Sequence, residues 1–217
     1  MVAGGFLFFM VMGSYYTWAS VNIYACSYLM AHGDTTASIE NLFLVLPLTE
    51  IVLTLAMPWG AHAALKYSPR LMVFLGTLVI FVGYFAASFM RHSVPFVFFF
   101  AVCFGLGNGL SYMAGLQSAW RYYPRRKGCA GGVVLSAIGV GAFLFSQLSS
   151  FLINPANRQP TLEVKLGKFS SFYYKGEIVK TFPSALRTLA YTQLGLGLAA
   201  SLLVRAPSQR YLRSIDD

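Results

Sequence analysis

The sequence predicts an all-α membrane protein with six transmembrane helices. Of its 217 residues, 57% are hydrophobic and only 11% are charged, whereas about a quarter of the residues in a soluble domain are charged. Six apolar segments are each long enough to cross the hydrocarbon core of a bilayer, which takes about 20 helical residues. Most linkers between these segments are short, so successive helices are expected to run antiparallel.

The predicted helices follow one another along the chain, with one long gap before the last. We place them at residues 4–30, 39–61, 71–90, 94–119, 128–153 and 185–204. The first apolar run is longer than the h-region of a signal peptide, which has about 7–15 residues, and is expected to be a spanning helix. Residues 1–154 therefore hold helices one to five, residues 185–204 hold helix six, and residues 205–217 form a basic tail.

Residues 155–184, between helices five and six, are predicted to form an extramembrane loop. The run Lys168-Phe-Ser-Ser-Phe-Tyr-Tyr, then Lys175-Gly176, then Glu177-Ile-Val-Lys-Thr-Phe182 favours a short β-hairpin that turns near the glycine. Loops of this length are usually either functional or unstructured. Two interpretations stay open: an unstructured insertion, or a loop ordered against a partner protein, which its aromatic content favours.

Lysine and arginine are distributed unevenly between the two ends of the predicted bundle. Nine lie in the linkers and tail on one side, against only Arg91 in the two short loops opposite. By the positive-inside rule this side, with both termini, faces the cytoplasm, or the matrix of a mitochondrion. The choice between plasma membrane and mitochondrial inner membrane stays open. The nine residues are Lys66, Arg70, Arg121, Arg125, Arg126, Lys127, Arg205, Arg210 and Arg213.

Small residues are concentrated on helices four and five. Helices in lipid gain packing energy where small side chains let their backbones approach closely. Tight packing is one interpretation, and contacts that let the helices rock between two open states are the other. The glycines expected at helix contacts are Gly105, Gly107, Gly109, Gly132, Gly139 and Gly141.

Glu50 is the single carboxylate that the sequence places deep within a predicted span. A charge at that depth costs about 2.5–3.5 kcal/mol, which favours a functional role such as carrying a proton. A neutral Glu50 hydrogen-bonded inside the bundle is the alternative. Together with polar and aromatic residues of helices one and four, Glu50 is expected to line a central path. The substrate-path candidates are Ser14, Tyr15, Thr17, Glu50, Asn108 and Tyr112.

The sequence does not support an enzyme, a cofactor or a metal site. It has no paired carboxylates, no nucleophile with a plausible base and no cluster of metal ligands. The three cysteines lack CxxC spacing, and the three histidines are scattered at loop edges. The net charge of +9 is spread in short runs between apolar segments, as in membrane proteins, so no nucleic-acid partner is expected.

Three motifs lie on helices four and five: Gly105-Leu-Gly-Asn-Gly-Leu-Ser-Tyr112, the basic run from Trp120 to Gly132, and Gly139-Val-Gly-Ala-Phe-Leu-Phe145. Together with Gly13-Ser-Tyr-Tyr-Thr-Trp18 of helix one, they resemble the major facilitator superfamily, most closely its oxalate/formate antiporter-like and monocarboxylate transporter-like branch. The loop 60–70 is similar to the superfamily's signature at Gly60, Lys66, Pro69 and Arg70. It departs at Leu65, where an acidic residue is expected, and at Ser68, where the second glycine is expected.

The resemblance implies a transporter built from two six-helix halves, of which this chain supplies the N-terminal one. The first functional hypothesis is a half-size transporter of small organic anions, monocarboxylates or dicarboxylates, that needs a second six-helix chain or a second copy. Its gate would be steadied by the loop residues Gly60, Lys66, Arg70, Arg125 and Arg126. The alternative is a non-transporting accessory subunit of a larger membrane complex, such as a mitochondrial respiratory assembly, bound through the 155–184 loop.

Overall fold

The computed structural model describes residues 2–166 and 169–204, and helices dominate that part of the chain. The prediction of six long helices is confirmed: α1 Val2–Ala31, α2 Ile39–Lys66, α3 Pro69–Ala87, α4 Ser93–Tyr122, α5 Pro124–Ile153 and α6 Glu177–Leu203. Within the described residues, α1 to α5 are long and apolar enough to cross a membrane. The predicted basic tail, residues 205–217, lies outside the described residues.

Linkers at the basic end are shorter than the sequence indicated. α2 continues to Lys66 and α3 begins at Pro69, with the Ser68 hydroxyl accepting a hydrogen bond from the backbone N–H of Leu71. α4 ends at Tyr122, and α5 begins at Pro124 with one 3₁₀ turn. The basic residues therefore belong to the ends of helices. We call this side of the bundle, with Lys66, Arg70, Arg121, Arg125, Arg126 and Lys127, the basic end.

Two helices depart from regular α-helical geometry. α1 contains a 3₁₀ turn at Ser14–Thr17, and α4 contains a π-helical turn at Phe98–Val102. Irregular turns inside helices often occur at functional positions, because they re-aim side chains and alter the backbone hydrogen bonding. The turn in α1 coincides with the polar and aromatic band that the sequence placed in this helix.

The packing of the helices follows a repeated pattern of three. α1 packs against α5 and α6, α4 packs against α2 and α3, and α3 packs against α6. If α1, α2 and α3 are exchanged with α4, α5 and α6, respectively, the same pairs of helices are in contact. Such internal repeats are common in transporter folds. The buried core between the two sets is aromatic: Phe100 packs against Trp18 and Tyr84, with ring centroids 4.8 and 4.6 Å apart.

Glycine lets helices touch at several of the predicted positions. A Cβ at Gly105 or Gly109 would meet α2 backbone atoms, one at Gly107 would meet the carbonyl oxygen of Gly76, and one at Gly141 would meet that of Met10. Such contacts are those that small residues permit between helices in lipid. The prediction is wrong for Gly132 and Gly139, which face open space. Gly13, Gly60 and Gly197 make further close contacts that the sequence analysis did not assign to packing.

A β-hairpin precedes α6, but its strands differ from those predicted. They are β1 Leu162–Leu166 and β2 Phe169–Tyr173, paired antiparallel. The predicted second strand, 177–182, is instead the first part of α6. Its buried residues Ile178, Val179 and Phe182 recur at helical spacing, and Gly176 at φ +74° ends the loop before the helix. Lys168, the first residue of the predicted first strand, lies outside the described residues.

The hairpin is attached to its own bundle. Tyr173 is 1% exposed, and the Tyr174 ring stacks on that of Tyr24 in α1, with centroids 4.8 Å apart. The backbone N–H of Tyr174 donates to the Ser27 hydroxyl at 3.0 Å. The aromatic content of this loop suggested docking to another protein. Tyr173 and Tyr174, however, pack against their own bundle. We call this side of the bundle the hairpin end.

The loop between α1 and α2 is anchored at the hairpin end by Asp34. Its carboxylate accepts hydrogen bonds from the backbone N–H and hydroxyl of Ser93, at 2.5 and 2.6 Å, and from both groups of Thr36. Ser93 is the first residue of α4, where free N–H groups and the helix dipole favour a negative charge. Asp34 thereby ties the α1–α2 loop to the start of α4.

Candidate substrate pocket

An open pocket of about 260 Å³ lies between α1, α2, α4 and α5 in mid-span. α2 contributes the longest wall, since Thr49, Glu50, Leu53, Thr54 and Met57 recur at helical spacing along one face. The 3₁₀ turn of α1 presents Tyr15 and Tyr16 to the same space. The remaining lining residues are Met12, Phe104, Asn108, Tyr112 and Ile138. Four of the six substrate-path candidates, Tyr15, Glu50, Asn108 and Tyr112, are therefore brought together.

Among the described residues, Glu50 is the only charged one that lines this pocket. It is exposed on the open face of α2, so it is not buried inside the bundle as one interpretation had required. Its carboxylate lies close enough to Tyr15 and Tyr112 for an electrostatic interaction. Within residues 2–166 and 169–204, the wall that this chain supplies thus carries one carboxyl group and no basic side chain.

Aromatic contacts fix the shape of the pocket wall. The Tyr15 hydroxyl donates to the carbonyl oxygen of Leu46 at 2.9 Å, which joins α1 to α2 beside Glu50. The Tyr15 ring lies nearly parallel to Phe104, with centroids 6.3 Å apart, and edge-on to Tyr16 at 5.1 Å. Tyr112 packs against Phe9 at 5.0 Å. Rings held on several sides form a rigid wall for a small ligand.

Asn108 supplies an acceptor without a protein partner. The residue is fully buried in the pocket wall, and its Nδ2 donates to the carbonyl oxygen of Phe104 at 2.9 Å. Its Oδ1 has no hydrogen-bond partner among residues 2–166 and 169–204. A buried acceptor in this condition costs about 1–3 kcal/mol unless water or a ligand satisfies it. After Glu50, Asn108 is thus a second residue of the pocket wall whose polar group is available to water or a ligand.

Ser14 and Thr17 lie away from the pocket, although the sequence grouped them with Tyr15. Both are buried, with exposures of 2 and 3%. The Thr17 hydroxyl donates to the carbonyl oxygen of Ser14 at 2.6 Å, and the Ser14 hydroxyl accepts from Gln193 Nε2 of α6 at 2.9 Å. Ser14 and Thr17 therefore lie where α1 contacts α6. Neighbours in a 3₁₀ turn point in different directions, which sequence grouping alone does not reveal.

Sequence reasoning missed Gln193 and Tyr84. Gln193 is 1% exposed inside α6, and the Tyr84 hydroxyl interacts with both Gln193 and Ser14. A glutamine in the middle of the predicted span 185–204 is itself a signal, because buried polar groups in lipid require partners. This network fixes α6 against α1 and α3 behind the pocket.

The gate-loop candidates lie on α2, at the start of α3 and at the start of α5. Gly60 is buried within α2, where a Cβ would meet the backbone of Leu110 in α4. Lys66 is exposed with its Nζ 5.5 Å from the Tyr67 ring centroid, and Arg70 is half-buried in the first turn of α3. Arg125 and Arg126 are exposed in the 3₁₀ turn that begins α5. Among the described residues, none of these four basic side chains forms a salt bridge.

Known proteins resemble this chain over shares of its length that range from 45 to 95%. No protein-family model matches it. The apicoplast pyruvate carrier 1 of Toxoplasma gondii is 28% identical over 247 aligned positions, covering 95% of this chain and 45% of that protein. The oxalate:formate antiporter of Oxalobacter formigenes is 25% identical over 66% of this chain and 33% of its own length. Monocarboxylate transporter 13 of Bos taurus is 29% identical over 45% of this chain and 23% of its own length.

A solved structure has the same fold. The inward-open xylose transporter XylE from E. coli matches with a TM-score of 0.68 and 12% sequence identity, covering 99% of this chain and 50% of that one. Identity at this level is informative for the fold alone. The chain spans about half the length of the first relatives it matches. The chain therefore has the fold of one six-helix half of a major facilitator superfamily transporter, and its sequence is similar to those of a pyruvate carrier, an oxalate:formate antiporter and monocarboxylate transporters.

Proposed function

We propose that this chain forms one wall of a transmembrane path for small monocarboxylates and that a second six-helix unit forms the other wall. The pocket of α1, α2, α4 and α5 carries this proposal, because it is open on one side and lies in mid-span. The names of the relatives support the substrate class: a pyruvate carrier, an oxalate:formate antiporter and a monocarboxylate transporter. Substrate sites of transporters lie near the bilayer midplane between repeated units.

Charge indicates what the second unit has to supply. Within the part of the chain that the structure describes, the pocket wall holds Glu50 and no lysine, arginine or histidine. A carboxylate facing Glu50 would be repelled unless a cation lies nearby or one of the two carboxyl groups is protonated. A second copy of this chain would bring another Glu50 and no cation. We therefore favour a second unit of different sequence, on this polypeptide or another, that places a basic side chain opposite Glu50.

The accessory-subunit alternative remains as a second proposal with less structural support. It relied on the aromatic loop as a docking site for other subunits, and Tyr173 and Tyr174 are already used within the chain. Stable co-purification with a multi-subunit enzyme would favour it. Co-purification with one further six-helix unit would favour the transport proposal.

Filling the pocket tests the proposal directly. Thr54 lines the pocket, whereas Leu55, its neighbour on α2, is 68% exposed and does not. We expect Thr54→Trp to abolish pyruvate uptake by proteoliposomes made from the protein with its native partners. Leu55→Trp, the matched control, should keep most of the uptake. Equal uptake by both variants and the wild type would exclude the pocket as the path.

Orientation in the membrane follows from the same proposal. We infer that the basic end faces the cytoplasm or matrix, because positively charged loops are retained on that side. Cys129 lies at this end and is exposed, whereas Cys26 is buried and Cys103 half-buried. In vesicles of known orientation, a membrane-impermeant maleimide should modify Cys129 from the cytoplasmic or matrix side. Labelling from the opposite side would reverse the assignment.

A further inference from the structure

A second cavity, unrelated to the pocket, lies between α3 and α6 at the basic end. It has a volume of about 580 Å³ and is lined by Ser68, Arg70, Leu71, Phe74, Leu198, Ser201 and Leu202. We call it the α3–α6 groove. Its walls are mostly apolar, and Arg70 is the single charged residue among the described residues that line it. Neither α3 nor α6 contributes a residue to the substrate pocket, so the two cavities are on different faces of the bundle.

The α3–α6 groove lies on the basic-end side of a close contact between these two helices. Gly197 of α6 lies so close to Thr77 of α3 that a Cβ on the glycine would meet the threonine side chain. Toward the basic end from this contact, larger side chains line both helices. Leu71, Phe74 and Leu202 remain 40, 36 and 59% exposed. Exposed leucine and phenylalanine at this depth form a surface for hydrocarbon chains.

Among the described residues, the charge at the mouth of the groove is positive. Arg70 lies in the first turn of α3, where the apolar segment ends. It is close in sequence to Lys66, the last residue of α2, and to Tyr67, which is 65% exposed. Every acidic residue among residues 2–204 lies at the hairpin end or in mid-span. Arg70 forms no salt bridge within that part of the chain. A guanidinium between lipid chains and water commonly extends toward the headgroups, where it binds phosphate.

We propose that the α3–α6 groove binds one anionic phospholipid, with an acyl chain against Leu71, Phe74 and Leu202 and the headgroup phosphate on Arg70. Apolar walls below a single arginine match a lipid, whereas a free phosphate would make no use of the apolar surface. Basic pockets between helices on the cytoplasmic or matrix side are recognised sites for anionic headgroups. Each basic residue near the surface contributes about 1 kcal/mol to such binding.

Native mass spectrometry of the detergent-purified protein, titrated with phosphatidylglycerol and separately with phosphatidylcholine, tests the site. We expect phosphatidylglycerol to bind more tightly, and Arg70→Gln to weaken it about fivefold, which corresponds to about 1 kcal/mol. Arg126→Gln, with the same charge change at the same end, should alter it less than twofold. Leu202→Trp keeps the charge but fills the groove and should also weaken binding.

Three results would overturn the proposal. Equal losses for Arg70→Gln and Arg126→Gln would show only diffuse attraction to a basic surface. Unchanged binding to Leu202→Trp would show that the groove does not hold the acyl chain. Equal affinity for the two lipids would show that the headgroup charge is not recognised. The thermal unfolding of each variant, measured alongside, separates loss of the site from loss of the fold.

Discussion

At the scale of single residues, the clearest dependence on charge is at Asp34. Burial by itself would raise the pKa of its carboxyl group, but the hydrogen bonds from Ser93 and Thr36 outweigh burial and hold that pKa well below its usual range. The charged form is therefore the one the folded protein stabilises. Because the bonds join the α1–α2 loop to the start of α4, the stability of the hairpin end should depend on this carboxylate.

We expect Asp34→Asn to lower the free energy of unfolding by about 2 kcal/mol at neutral pH, since bonds to an ionised acceptor are worth about 1.5–3 kcal/mol. Thermal unfolding in detergent measures the change. Glu163→Gln removes the charge of an exposed residue in β1 and serves as the control with no expected effect. A loss of stability equal for both variants would contradict the specific role of Asp34.

The pH dependence follows from the direction of the shift. A carboxyl group whose pKa is depressed by folding contributes stability above its unfolded pKa, about 3.9, and loses it as the pH falls further. The difference between wild type and Asp34→Asn should therefore be full at pH 6–7 and should shrink progressively below about pH 4. A difference that stays constant from pH 7 to pH 3 would show that the carboxylate charge is not responsible.

At the scale of helices, the packing depends on which face of a helix a glycine occupies. Successive residues are about 100° apart around a helix, so Gly139 and Gly141 point in nearly opposite directions. Gly141 meets the backbone of α1 at Met10, while Gly139 faces open space. Composition correctly located close packing on α4 and α5. It could not separate contact glycines from open ones, because the faces are set by neighbours distant in sequence.

The pair Gly141→Ala and Gly139→Ala tests this distinction. The methyl group at residue 141 would force α1 away from α5, and overpacking of this kind typically costs about 1–3 kcal/mol. At residue 139 the methyl group is unopposed, and alanine favours the helix by about 1 kcal/mol over glycine. The melting temperature should therefore fall for the first variant and hold or rise for the second. The reverse order would mean that α1 and α5 do not pack as described.

The hairpin shows where sequence patterns are ambiguous. A hairpin before the last helix was predicted, but its second strand was placed on residues that form the start of α6. The apolar residues Ile178, Val179 and Phe182 fit a short strand as well as one helical turn when seen alone. These three residues are buried against the bundle, and Ala185 and Leu186 continue the same buried helical face. This burial favours a helix over a strand. Local sequence does not contain that tertiary information.

At the scale of the whole molecule, the six-helix architecture could be predicted from apolar segments and short linkers alone. The pocket could be predicted in part. Glu50, Asn108 and two tyrosines were found because polar groups in a span need a reason to be there. Ser14 and Thr17 were grouped with them, yet the 3₁₀ turn directs these two side chains away from the pocket. In our proposal a second six-helix unit forms the facing wall, so residues 1–217 do not predict the chemistry of that wall.

The central claim is that the pocket beside Glu50 holds a monocarboxylate, and protection of a cysteine at Thr54 tests it most directly. The three native cysteines are first replaced by alanine, and Thr54→Cys is compared with Leu55→Cys in membranes that retain the native partners. The rate of maleimide labelling is measured with pyruvate, with glycerol at the same concentration, or with neither. We predict that pyruvate, but not glycerol, slows labelling of Thr54→Cys and leaves that of Leu55→Cys unchanged. Labelling of Thr54→Cys at the same rate with and without saturating pyruvate would contradict the account.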